Sequence, residues 1–125
     1  MDLLYKELSY KIIGVLYDVF NELGYGYQEK YYQKAIALAL KEKEIKFKEQ
    51  VYIPLKFKDN IIGKYFLDFL IEDKLILEIK KGDKFHKSTI TQIFAYLKSF
   101  NIKLGVIANF TKNGIKIKRI INLHP

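Results

Sequence analysis

A chain of 125 residues, half of them hydrophobic, with ten tyrosines and nine phenylalanines, has the material for one domain with a sizeable core. It has no cysteine, which excludes disulfides and thiolate metal sites, and no run near the roughly 18 to 20 apolar residues of a membrane span. The net charge of +8 permits a polyanionic partner, but Arg119 is the only arginine among 22 basic residues, and a lysine- and isoleucine-rich composition also arises from an AT-rich genome. The opening MDLLYKELSYK lacks the basic-then-apolar layout of a secretory signal, so a single cytoplasmic domain over 1–125 is the expectation.

Residues from about Leu3 to Leu23 read as a helix, with Leu4, Leu8, Ile12, Leu16, Val19, Phe20 and Leu23 on one apolar face. Gly24 and Gly26 stop it. A second helix covers roughly Gln28 to Lys43, with Tyr32, Ala35, Ile36, Ala39 and Leu40 inward, so the two form a helical hairpin. The period then drops to two. VYIPLKF at 51–57 alternates, Asp59 and Asn60 turn, and IIGKYFLDFLI at 61–71 extends; Glu72-Asp73-Lys74 turns again into LILEIKK at 75–81. This is a meander of three antiparallel strands. A third helix from about Ser88 to Phe100 carries Ile90, Ile93, Phe94 and Leu97. KLGVIANF at 103–110 reads as a buried strand, and GIKIKRIINL at 114–123 as an exposed edge strand. The order α-α-β-β-β-α-β-β describes an α/β fold with a mixed central sheet flanked by helices.

Within LDFLIEDKLILEIK, at 67–80, three charges interrupt an apolar run. A three-residue Glu72-Asp73-Lys74 loop sets Ile71 opposite Leu75, hence Asp68 opposite Glu78 and Phe66 opposite Lys80. Opposed residues of an antiparallel pair share a face, as do residues two apart, so Asp68, Glu78 and Lys80 then converge. A two-residue loop would instead send Asp68 to the far side. Two carboxylates held so close call for a cation, and a hard divalent ion such as Mg²⁺ suits them, with a neighbouring ammonium to stabilise developing negative charge. The competing account is a solvent-facing strip of charge on a hairpin.

Asp68, a short hairpin and then Glu78-Ile79-Lys80 resembles the core motif of the PD-(D/E)XK nucleases, with Leu67 where that motif often has proline. Gln92 and Tyr96 on the following helix resemble the Q-x-x-x-Y element of several branches. Gly26-Tyr27-Gln28-Glu29-Lys30-Tyr31-Tyr32 reads as G-x-x-E-x-x-Y, the element that names the GxxExxY family of small bacterial and archaeal proteins grouped with these nucleases. The resemblance covers nearly the whole chain. It implies a restriction-endonuclease-like core and hydrolysis of nucleic acid, DNA in particular, with Mg²⁺ or Mn²⁺. It further implies Asp68 and Glu78 as metal ligands, the Ile79 carbonyl as a further oxygen, and Lys80 as the catalytic lysine. Glu29 would join the metal site through a water, and Gln92 would lean over the sheet to bind water or phosphate.

Each position also has a plainer account. Glu29 in a first helical turn suits the helix dipole, and Gln92 suits a solvated helix face. Tyr32 and Tyr96 read as core aromatics with a hydroxyl at the rim. Lys81 points away from Lys80. His86 and His124 are the only histidines and stand far apart, which argues against a histidine metal site. His86, Lys84 and Lys87 form a basic loop before the third helix. Gly63 and Gly114 are turn or bulge residues. Two rival functions stay open: a nucleic-acid-binding module with a vestigial site, and a protein-interaction module whose alternating C-terminal edge pairs with a second copy as a homodimer.

Overall fold

The computed structural model describes residues 4–123; Leu3 and His124 lie outside the described residues. The elements follow the expected order: α1 (Lys6–Leu23), α2 (Glu29–Glu42), β1 (Phe47–Phe57), β2 (Asn60–Ile71), β3 (Leu75–Lys81), α3 (Lys87–Phe100), β4 (Leu104–Thr111) and β5 (Gly114–Ile121). The strands form a five-stranded sheet in sequence order, parallel between β3 and β4 and antiparallel elsewhere. A parallel step needs a crossover, and α3 supplies it.

Two cores divide the sheet's faces. Ile12, Val15, Leu16 and Val19 of α1 and Tyr32, Ile36 and Leu40 of α2 pack on Phe69, Ile71, Leu77, Ile79, Val106 and Phe110. On the other face Ile93, Tyr96 and Leu97 of α3 pack on Ile53, Leu67, Ile76 and Ile107. Alternate residues of β3 therefore serve opposite layers, and Glu78, between Leu77 and Ile79, belongs with Ile76 on the α3 side.

The structure corrects four expectations. β1 begins at Phe47 rather than Val51, because Phe47 to Glu49 pair with Ile71 to Phe69. The first turn is Lys58-Asp59, whose φ values of 48° and 68° give the positive-φ pair of a two-residue hairpin loop. Phe94 is exposed, one step around the helix from Ile93, and Tyr96 fills the core position instead. β5 is an edge that is covered rather than exposed: Ile115 and Ile117 pack towards α1, Ile120 is buried in the core under α3, and Arg119 donates to Ser9 Oγ and the Leu4 carbonyl, both at 2.9 Å. No helix among the described residues is long and apolar enough to cross a membrane.

Gly105 of β4 lies directly against Ile93 and Leu97 of α3. A Cβ there would lie 2.6 Å from Ile93 Cγ2, a branched methyl in the core with little room to yield. Gly105→Ala is expected to destabilise the fold by about 1–3 kcal/mol, read from the midpoint of urea unfolding.

Candidate active site

The Glu72-Asp73-Lys74 loop does set Ile71 opposite Leu75, with Leu70 opposite Ile76 and Phe69 opposite Leu77. The ladder ends there, immediately before Asp68 and Glu78, and side chains continue the pairing. The Asp68 amide donates to Glu78 Oε1 at 2.7 Å, and the Ile79 amide donates to Asp68 Oδ2 at 2.8 Å. Each carboxylate thus occupies a backbone donor of the opposing strand that the sheet would otherwise satisfy.

The expectation that all three charges share a face is only partly met. Regular alternation would place Leu67 and Phe69 on one side, yet Leu67 packs under α3 and Phe69 under α1 and α2. The strand rolls over at Asp68, opposite Gln50 of β1, whose φ is +50°. As a result Asp68 is reached from the α2 layer, where Gln33 Nε2 donates to its Oδ1 at 3.1 Å. Gln33 is held in turn by Gln50 Nε2, 3.2 Å from its Oε1. Glu78 is reached from the α3 layer, where the Tyr65 hydroxyl donates to its Oε2 at 2.7 Å. The expected Phe66–Lys80 pair lies beyond the ladder, and Phe66 stands exposed against Tyr52.

Burial sets the electrostatics. Glu78 is 1% exposed and Asp68 9%. Desolvation pushes Asp68 up to about 6, against the lowering effects of the Ile79 amide bond and the Lys80 charge, with Glu29 adding to the rise. Desolvation and then the Asp68 charge push Glu78 up to about 7, despite the Asp68 amide, Tyr65 and Lys80. Lys80 therefore acts on both carboxylates. Burial, and then the charge of Glu78, raises the Tyr65 hydroxyl far above its usual range.

The pair has the chemistry of a hard-cation site. All four carboxylate oxygens accept one hydrogen bond, which leaves each a further lone pair. Carboxylate oxygen suits Mg²⁺ or Mn²⁺. Among the described residues no third aspartate, glutamate or histidine closes on the same point. Glu29, at the start of α2, reaches Asp68 through its charge and not through a hydrogen bond. Gln92 is exposed on α3, one turn before Tyr96, and makes no hydrogen bond or ion pair among the described residues.

Several contributors carried no readable signal. Tyr65 and Gln33 look like ordinary strand and helix residues, although Gln33 lies one helical turn after Glu29. Asn109, in register with Lys80, is 1% exposed; its Nδ2 donates to the Lys84 carbonyl at 2.8 Å, and its Oδ1 has no partner among the described residues. Tyr96 is buried, its ring 5.1 Å from that of Tyr65, and its hydroxyl, expected at the rim, is buried and has no partner among the described residues. Tyr32 is a core residue as expected, and its hydroxyl donates to the Gly24 carbonyl at 2.6 Å.

The crystal structure of SSO0001 is similar to this chain, with a TM-score of 0.50 at 13% identity, over 94% of this chain and 78% of the other. At that identity the likeness speaks for the fold alone. No curated protein matches the chain in sequence. A family model described as the PD-(D/E)XK nuclease superfamily matches residues 6–120. A match that runs from the first helix into the last strand is more than a shared motif: the chain belongs to the PD-(D/E)XK nuclease superfamily.

Proposed function

We propose that this protein is a metal-dependent nuclease that hydrolyses phosphodiester bonds of nucleic acid, DNA in particular, and that it stands in the GxxExxY branch of its superfamily. One observation carries the catalytic reading: two buried carboxylates, both raised in pKa, are held side by side. Asparagine and glutamine could accept from the same two amides without repulsion, so the charge itself calls for a partner cation. The branch is supported by what each motif residue does. Gly26 has φ of +119°, Glu29 opens α2 towards Asp68, and buried Tyr32 ties down the Gly24 carbonyl and the Tyr27 amide of the loop between.

Asp68 and Glu78 would hold Mg²⁺ or Mn²⁺, with the Ile79 carbonyl and, through a water, Glu29 as further oxygens. Bound there, the ion would supply a water of lowered pKa and charge neutralisation at the scissile phosphate. Lys80 would stabilise the negative charge that develops on the phosphate. Tyr65 and Gln33 fix the orientation of the two carboxylates through their hydrogen bonds. Gln92 would bind water or phosphate from the rim of α3.

The test is cleavage of labelled single-stranded DNA, duplex, branched DNA and RNA, with Mg²⁺, Mn²⁺ or EDTA. Cutting should require metal and fall by about 10²-fold or more in Lys80→Ala. If neither protein cuts and both bind equally, the catalytic reading fails, and a nucleic-acid-binding module on a nuclease fold replaces it.

A further inference from the structure

β1 and β2 pair from Phe47↔Ile71 out to Phe57↔Asn60, whereas β2 and β3 pair only as far as Phe69↔Leu77. The outer hairpin, residues 51–67, therefore leaves the sheet as a two-stranded ribbon. Its base packs under α3 through Ile53, Leu67 and Tyr65, while Tyr52, Leu55, Phe57, Ile61, Ile62 and Phe66 are all more than 40% exposed. So much apolar surface on one ribbon needs a partner. At about 3.3 Å per residue, the path from Asp68 to Ile61 places the tip roughly 23 Å from the carboxylates.

The ribbon's chemistry selects the partner. It carries Lys56, Lys58 and Lys64 against a single acid, Asp59. The Lys58 ammonium lies 5.3 Å from the Phe57 ring centre and that of Lys64 5.8 Å from Phe66. The Tyr52 and Phe66 rings stand 5.8 Å apart. Flat exposed rings interleaved with ammonium groups match a strand that offers both unstacked bases and phosphates. Intact duplex offers the phosphates but keeps its bases stacked. Pairing with another strand along the outer edge of β1 is disfavoured, because Pro54 interrupts that edge with a residue that has no amide donor.

The ribbon is also wired to the candidate active site. Tyr65 on β2 donates to Glu78, and Gln50, just below the ribbon on β1, holds Gln33 against Asp68. Building on the nuclease reading above, we propose that the ribbon binds unpaired nucleic acid. Tyr52 and Phe66 form its base-stacking platform, and Lys56, Lys58 and Lys64 contact phosphate. The substrate class is then nucleic acid with a single-stranded segment beside the cut.

The experiment is fluorescence anisotropy in EDTA, so that binding is read without turnover, on a labelled single strand and a blunt duplex. Tyr52→Ala/Phe66→Ala should bind the single strand about tenfold or more weakly, with little change on duplex, and Tyr52→Phe should bind as wild type. Lys56→Gln/Lys58→Gln/Lys64→Gln should flatten the log–log salt dependence on the single strand by about two. The substituted side chains are exposed, and unchanged thermal melting checks that the fold persists. Unchanged single-strand affinity, or an equal loss on duplex, would overturn the proposal. So would a wild-type dimer that the aromatic variant converts to monomer, which would assign the ribbon to self-association. Catalysis is judged separately: ribbon-dependent binding in a protein that never cuts removes the nuclease and keeps the ribbon, and cutting with ribbon-indifferent binding does the reverse.

Discussion

In EDTA, raising the pH from 5 to 8 should destabilise the fold by about 2–5 kcal/mol. In the unfolded chain Asp68 and Glu78 titrate near 4. Burial, followed for Glu78 by the charge of its partner, raises them to about 6 and about 7 in the native state. Between those limits the native protein binds more protons than the unfolded chain, so stability is lost as pH rises through the window and levels off above it. The usual paired carboxylate does the opposite. Urea unfolding at several pH values measures the slope. Adding Mg²⁺ or Mn²⁺ at pH 8 should recover the loss, because a ligand of the native state alone contributes about 2.7 kcal/mol at a hundred times its Kd. A stability that is flat or rises across this window would show that the two carboxylates are not strained.

Asp68→Asn should reduce cleavage by about 10²-fold or more and, at pH 8 without metal, stabilise the protein by about 1–3 kcal/mol. The amide keeps an acceptor for the Ile79 N–H, 2.8 Å away in the native protein, and removes one of two mutually repelling charges. Alanine is a poorer probe. It would leave that buried amide without a partner, at a cost of about 1–3 kcal/mol that masks the relief. Cleavage assays and melting at pH 8 must move in opposite directions. If both fall, Asp68 is an architectural residue.

The helices and strands were legible because their apolar spacing differs and because glycines and short polar turns separate them. The approach of Asp68 to Glu78 followed from the sequence only on condition of a three-residue Glu72-Asp73-Lys74 loop; a two-residue loop stood beside it, and the pairing of Ile71 with Leu75 decides between them. The roll of β2 at Asp68 was not legible. It depends on Gln50, a residue on another strand that takes a left-handed conformation despite having no special propensity for it. Tyr65 and Gln33 were missed for a related reason: each enters the site by a contact across the sheet or between layers, and Asn109 stands beside Lys80 only through the parallel register of β3 and β4. Helical periodicity could not decide between Phe94 and Tyr96, since both border the Ile93 stripe; the ring of Tyr65 on the facing sheet decides it. At β5 alternation showed an edge but not the cover that α1 places over one face.

The exchange of side-chain bonds between β2 and β3 constrains how such a chain can change by descent. Each acidic group closes a gap in the other strand's backbone, so neither can drift to an apolar residue without opening the sheet beside it. A lineage that abandoned the chemistry would still need an acceptor at both positions, and the shortest step is to the corresponding amide. Asparagine at 68 or glutamine at 78 would then mark a descendant that kept the architecture after setting the reaction aside. A chain that still carries both acids, as this one does, has not taken that step.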